Sequence, residues 1–288
     1  VAVASAVLAG ALLVGDSVRS SLRDLAALRL GKTDDAVLSS GFFREALAED
    51  LAADPTFSGV FSNVAPLTMV QGVVSLQGTE RRVGNVTVYG VDERFWRFHG
   101  IAAPSLAGRS GLVGAALAEE LGAKGGATLL VRVQRPTDAP LESLHGRKED
   151  GSRTIRATVR GVLPAEQLGE FSLQATQGAV RAVFLPLAVL QQELDIRDRI
   201  NALLVSGSGT ADALTAAVKS HATLDDAGLQ LRTIPGGSVV LESRTGVLSE
   251  SVEEAAASAI ANSSIAAHPL LTYLANRLKI GEDRKSTR

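Results

Sequence analysis

Four histidines, His99, His145, His221 and His268, are the side chains best suited to moving protons near neutral pH or to holding a metal. No two of them form a His-x-x-x-His pair, so no helix face presents two imidazoles to one ion. Cysteine is absent, which removes disulfides, thiolate metal sites, iron–sulfur clusters and a thiol nucleophile. Acidic pairs stand at Asp34-Asp35, Asp92-Glu93, Glu119-Glu120 and Asp225-Asp226. Adjacent carboxylates point apart on a helix or a strand, so these read as solvated faces rather than acid–base pairs. Leu30-Gly31-Lys32-Thr33 echoes the end of a phosphate loop, but that loop needs a glycine where Ala26 stands and a strand before it. The segment reads instead as a helix C-cap followed by a solvated lysine. Gly108-Arg109-Ser110-Gly111 and Ser206-Gly207-Ser208-Gly209 do not complete the five-residue nucleophile elbow and read as turns. His99 follows an aromatic run and is expected to pack or cap locally. No catalytic, cofactor-binding or metal-binding residue is assigned, and the chain is read as a non-enzyme.

One cluster of another kind stands out. Phe95, Trp96 and Phe98 concentrate three of the eleven aromatic residues within four positions. They read as a hydrophobic anchor between two lobes, or as a contact for a partner protein or an apolar ligand. The rest of the composition says what must hold them. The 288 residues are 45% hydrophobic and 21% charged, which suits one or two packed domains and not a disordered tail. With 29 basic and 31 acidic side chains the formal charge is −2, without the basic surplus a nucleic-acid partner requires.

Residues 1–15 carry no charge. As a helix they would span roughly 22 Å, short of the roughly 30 Å of a bilayer core. The run could be a signal-peptide core, although no basic segment precedes it. It could be a buried helix, or the outer end of a transmembrane helix. The last reading gains from the residues after Gly15. Asp16, Arg19, Arg23, Asp24 and Arg29 appear abruptly, while Val18, Leu22, Leu25 and Leu28 keep a helical stripe. One helix leaving lipid and continuing amphipathically in water is expected, with Gly31 as its stop.

Beyond it, Ala36–Ser39 reads as a strand. Phe43 to Leu51 reads as a helix ended by Pro55. Met69–Leu76 and Asn85–Val91 read as strands joined by a turn at Gly78-Thr79. Phe95 to Gly108 reads as a loop, Val113–Leu121 as a helix stopped at Gly122, and Thr128–Gln134 as a strand. A polar loop is expected over 135–152. Thr154–Arg160 alternates, with Ile155, Ala157 and Val159 on one face, as in an antiparallel strand with one wet side at a sheet edge. Val183–Leu185 is expected as a strand, with Pro186 opening a helix to Leu194. Ile200–Val205 reads as a strand and Ala211–Ser220 as a helix. Leu229–Ile234 and Val239–Glu242 should pair through Pro235-Gly236-Gly237. Ser249–Ala261 should be the last long helix and Leu270–Ile280 a closing strand. The fold class is α+β with mixed or antiparallel sheets.

These residues, in this order, resemble the extracytoplasmic domain of FtsX-like ABC-transporter permeases, the group that includes MacB. An apolar helix end runs into Asp16-Ser17-Val18-Arg19. Val88-Tyr89-Gly90-Val91-Asp92-Glu93-Arg94-Phe95 resembles the family's V-x-G-V-x-x-x-F segment. Val113 to Gly122 resembles its helix ending in L-G. Thr158-Val159-Arg160-Gly161-Val162-Leu163 resembles its V-x-G-V-L strand, and Ala182 to Leu187 its V-x-V-P-L segment. The loop at 135–152 and the stretch from about 235 to 280 depart from the simplest family core. The resemblance implies a two-lobed α+β domain. Residues 1–15 would be the end of a transmembrane helix, 16–97 and 200–288 a discontinuous membrane-proximal lobe, and 98–199 an inserted β-rich lobe. It implies a periplasmic position on the bacterial cytoplasmic membrane. The implied partners are a cytoplasmic ATPase subunit and a second permease copy, with an unknown substrate or extracytoplasmic partner and no cofactor. A secreted or membrane-anchored non-enzymatic binding module is the alternative. A hydrolase would instead require a pocket joining a serine to a histidine and a carboxylate.

Overall fold

The computed structural model describes residues 2–134, 152–174, 176, 178–244, 246–263, 266, 268–270, 278–280 and 283–285. The chain divides into two compact units, Val1–Gly246 and Val247–Arg288.

The first unit begins with one continuous helix, α1 (Ala2–Leu30), which joins the apolar run to the charged stretch after it. No helix among the described residues is long and apolar enough to cross a membrane, so the expected transmembrane helix is not seen. Residues 1–15 as a helix cover roughly 22 Å, less than the roughly 30 Å of a bilayer core.

An eight-stranded mixed sheet forms the body of this unit. The edge strand β1 (Asp35–Arg44) pairs antiparallel with β8 (Arg199–Gly207). Next comes the first half of the long β2 (Phe61–Leu76), and then β3 (Arg82–Val91). β3 runs parallel to β7 (Ala182–Pro186), which is antiparallel to β4 (Ser110–Gly114). β4 runs parallel to β6 (Ser152–Leu163), and β6 is antiparallel to β5 (Thr128–Gln134). β5 then returns to β2, from Gly72↔Val133 to Leu76↔Leu129. The six strands β2-β3-β7-β4-β6-β5 therefore close a circuit, and β8 and β1 extend it. β6 alternates as expected, with Ile155, Ala157 and Val159 buried, but it has a neighbour on both sides and is no edge strand.

The circuit's core gathers Val74, Val88, Val131, Ile155 and Val183. It is completed by Leu117 and Leu121 of α5 (Ala115–Leu121) and by Leu190 and Leu194 of α6 (Leu187–Leu194). Pro186 ends its strand as the N-cap of α6 rather than as its first residue. A second core, around Phe43, Leu51, Phe57, Phe61 and Leu203, joins β1 and β8 to three helices. These are α2 (Leu47–Ala53), α3 (Pro55–Ser58) and α7 (Ala211–His221). The helix expected from Phe43 starts later, because Phe43 continues β1 opposite Ile200 and is buried there. Pro55 does not merely end α2. Asp54 takes the Thr56 N–H on its side chain at 2.7 Å, so Pro55 opens α3 at a position that needs no donor.

β9 (Leu229–Thr233) and β10 (Val239–Ser243) form the expected hairpin. In the second unit, α8 spans Glu250–Ser263, with acidic residues in its first turn. There Leu278–Ile280 and Asp283–Lys285 make a short antiparallel pair, β11 and β12. Of the strand expected over 270–280, residues 271–277 lie outside the described residues, as does 135–151 of the expected loop.

A close backbone crossing locks the circuit. A Cβ at Gly114 would stand 2.2 Å from the Gly169 carbonyl oxygen. That oxygen is main chain and cannot rotate away. Gly114→Ala should therefore cost about 1–3 kcal/mol as an overpacking change. The check is a lower urea midpoint at unchanged slope; an unchanged midpoint would show that the crossing yields freely.

Candidate functional site

The segment read as a loop from Phe95 is in fact a helix, α4 (Glu93–His99). Asp92 caps it by accepting the Arg94 N–H at 2.8 Å, and Gly100 ends it in the left-handed conformation. α4 turns Phe95, Trp96 and Phe98 inward, at 0, 2 and 4% exposure. Phe95 meets Trp96, Phe171 and His99 edge to face, at centroid distances of 5.1, 5.2 and 4.7 Å. Trp96 lies 5.9 Å from Phe184, and Tyr89 stacks on Phe184 at 5.2 Å. Tyr89 also donates its hydroxyl hydrogen to the Phe171 carbonyl at 3.0 Å, and burial raises its pKa. The core built on these rings draws on β2, β3, β7 and β8 and on the segment after β6.

The end of α1 enters this core. Residues 16–28 are exposed except for half-buried Leu25, with Val18 at 52% and Leu22 at 42%. Arg29 is then buried, at 5%. Its guanidinium pairs with Glu170 at 3.0 Å, donates to the Gly178 carbonyl at 2.8 Å and donates also to the Thr176 carbonyl. The Arg29 carbonyl accepts the Ser172 N–H at 3.2 Å. Gly31 closes the helix at φ +58°, and a Cβ there would lie 2.6 Å from His99 Nδ1. The Lys32 N–H donates to His99 Nδ1 at 3.2 Å. The phosphate-loop echo is thus a glycine C-cap, as expected. Its lysine lies against α4, with Nζ 2.5 Å from where a Gly100 Cβ would be.

His99 fills the space between the aromatic cluster and this helix end. Burial, seconded by the Lys32 ammonium, lowers its pKa from 6.5 to about 4. The folded state therefore binds fewer protons than the unfolded one between those values. His99 thus removes stability as the pH falls from 6.5 towards 4. The sequence signals for this socket were slight: a cation in the last turn of α1, and punctuation by Asp92 and Gly100. Nothing in the sequence joined Arg29 to Glu170, 141 residues away.

Elsewhere, a groove of about 860 Å³ between α2–α3 and α7 collects Asp54, Ser220 and His221. His221 Nε2 is held by Asp54 Oδ2 at 2.9 Å, and this contact lowers the Asp54 pKa. Ser220 Oγ donates instead to the Ala217 carbonyl of its own helix at 2.8 Å, so the three do not form a relay. The neighbouring Asp225 and Asp226 separate as expected. Asp225 binds Arg199 and Arg244, and Asp226 binds Arg44 at 2.9 Å. Among the described residues, no group of three potential ligands could hold a metal ion.

Comparison with known proteins bears on what this socket belongs to. No curated protein matches the chain. One similar solved structure is the periplasmic region of MacB from Actinobacillus actinomycetemcomitans. It is 11% identical, covers 80% of this chain and 95% of that one, and has a TM-score of 0.41. Another is the extracellular domain of the noncanonic ABC-type transporter YknZ from Gram-positive bacteria. It is 14% identical, covers 73% and 100% respectively, and has a TM-score of 0.37. The profile of the MacB-like periplasmic core domain matches residues 1–234, most of the chain. The chain belongs to the family of MacB-like periplasmic core domains, and its position is extracytoplasmic.

Proposed function

We propose that this chain is the extracytoplasmic domain of an ABC-transporter permease subunit in the bacterial cytoplasmic membrane. A separate cytoplasmic ATPase hydrolyses ATP, and the transmembrane part passes that event outward as movement of this domain. The movement exports a substrate or acts on an extracytoplasmic partner by rigid-body displacement, without covalent chemistry here. Residues 1–15 are the end of a transmembrane helix. Residues 16–97 and 200–288 form the membrane-proximal lobe and 98–199 the inserted one, which shares a sheet with β2 and β3, and Phe95, Trp96 and Phe98 are a contact between them. A second permease copy completes the assembly.

Beside family membership, one observation carries this reading. α1 stands exposed over most of residues 16–28 and, from residue 16 onward, is gripped at its end by Arg29 and Gly31. A helix that adds little to the core along that length, yet is fixed at its tip, suits the delivery of displacement.

The test uses the whole permease reconstituted with its ATPase. The chain has no cysteine, so Lys124→Cys and Lys219→Cys give this domain unique sites for a dye on each proposed lobe. ATP turnover should change the distance between the dyes, and a distance indifferent to turnover would overturn the reading. The isolated chain should show no ATP binding by calorimetry. Micromolar affinity would move the nucleotide chemistry into this domain.

A further inference from the structure

His99 is the one buried histidine among the described residues. Its two ring nitrogens are in unequal positions. Nδ1 accepts the Lys32 N–H, so the neutral ring carries its hydrogen on Nε2. Nε2 is buried and has no hydrogen-bond partner among the described residues. Phe95, Phe98 and Phe171 wall the ring at centroid distances of 4.7, 5.0 and 5.4 Å, and Gly31 closes the side towards α1.

A proton added to this ring must go to Nδ1. There it would face the Lys32 N–H, donor against donor, and one of the contacts holding the end of α1 would become repulsive. The new charge would also sit among phenyl rings, beside the Lys32 ammonium. The other charged groups on the elements around it are already engaged. Arg29 pairs with Glu170, Glu93 with Arg97 on α4, and Arg94 with Glu45, Glu49 and Asp92. With aromatic walls on three sides, the ring can relieve the repulsion only by letting the Gly31–Lys32 turn move.

We propose that His99 is an acid-operated catch on α1: protonation at Nδ1 frees the Gly31–Lys32 turn and loosens the helix end from the aromatic core. Burial and Lys32 hold the imidazole at about 4, so the catch stays shut at neutral pH and opens in acid. An extracytoplasmic domain meets the acidity of its surroundings directly. That opening would uncouple transport rests on the permease reading, but the release itself does not.

The experiment therefore tracks release alone, on the full 288-residue chain. Trp96, the sole tryptophan, reports on the core by fluorescence. A nitroxide on Leu28→Cys reports on the helix end, and far-UV circular dichroism monitors the fold. On acidification from neutral pH, the nitroxide spectrum should sharpen with a midpoint near pH 4, well below that of an ordinary histidine, before ellipticity is lost. His99→Asn keeps an acceptor for the Lys32 N–H and cannot become charged, so it should lack this transition. Should His99→Asn not fold, an NMR titration of His99 decides. The ring should show its hydrogen on Nε2 at neutral pH and titrate together with the mobility of position 28. Equal midpoints with and without His99, or an imidazole that titrates without any change in mobility, would overturn the catch.

Discussion

Phe95→Ala lowers the unfolding free energy by about 3–5 kcal/mol, the range for truncating a fully buried phenylalanine. The cost is at the upper end of single substitutions because the ring touches Trp96, His99, Phe171 and Phe184 at once. Its neighbours are large, and their places are fixed by the backbone of α4, β7 and the segment after β6, so the cavity cannot collapse cheaply. Against a typical total of about 5–15 kcal/mol, such a loss removes a large share of the stability. Urea unfolding read by Trp96 fluorescence measures it. Phe95→Leu, which keeps most of the volume, should cost less than half as much. A Phe95→Ala loss under about 1 kcal/mol would show that the aromatic core repacks and cannot act as an anchor.

Arg29→Ala should cost about 2–4 kcal/mol, a little below the figure for a fully buried pair because the Glu170 side chain keeps 24% of its exposure. Most of that cost is what the arginine leaves behind: the Glu170 carboxylate and the Thr176 and Gly178 carbonyls lose their donors. Arg29→Lys should recover only part, since one ammonium cannot reproduce the guanidinium fork. Hydrogen exchange adds a local reading. The Ser172 N–H, which donates to the Arg29 carbonyl, should lose protection before the amides of β3 and β7 do. Equal loss throughout would mean that Arg29 supports the whole fold and not the grip on α1.

How far the sequence revealed this arrangement depended on how local each cause is. The alternation of Ile155, Ala157 and Val159 was legible because a strand with one dry face repeats every second residue. Pro235-Gly236-Gly237 marked its hairpin, and Gly31 and Gly122 marked helix ends, because those positions demand unusual backbone. α4 was misread because its i, i+3, i+4 spacing of Phe95, Phe98 and His99 lasts for seven residues only, too short a window for a helical period to stand out. Only Asp92 and Gly100 announced it. The closure of β5 onto β2 left no mark at all, since a strand's second neighbour is chosen by tertiary packing. The grip of Glu170 and the carbonyls of Thr176 and Gly178 on Arg29 was invisible for the same reason.

That closure has a practical consequence for anyone dividing the protein. The ring of strands works like the staves of a cask, and two of its six staves, β2 and β3, come from outside residues 98–199. Excising 98–199 as a separate piece would open the cask. It would strip β5 and β7 of a partner each, and expose Val131, Val133 and Val183 along raw borders. Such a fragment should clump rather than fold. Useful dissection of this protein should keep residues 61–91 with the inserted segment.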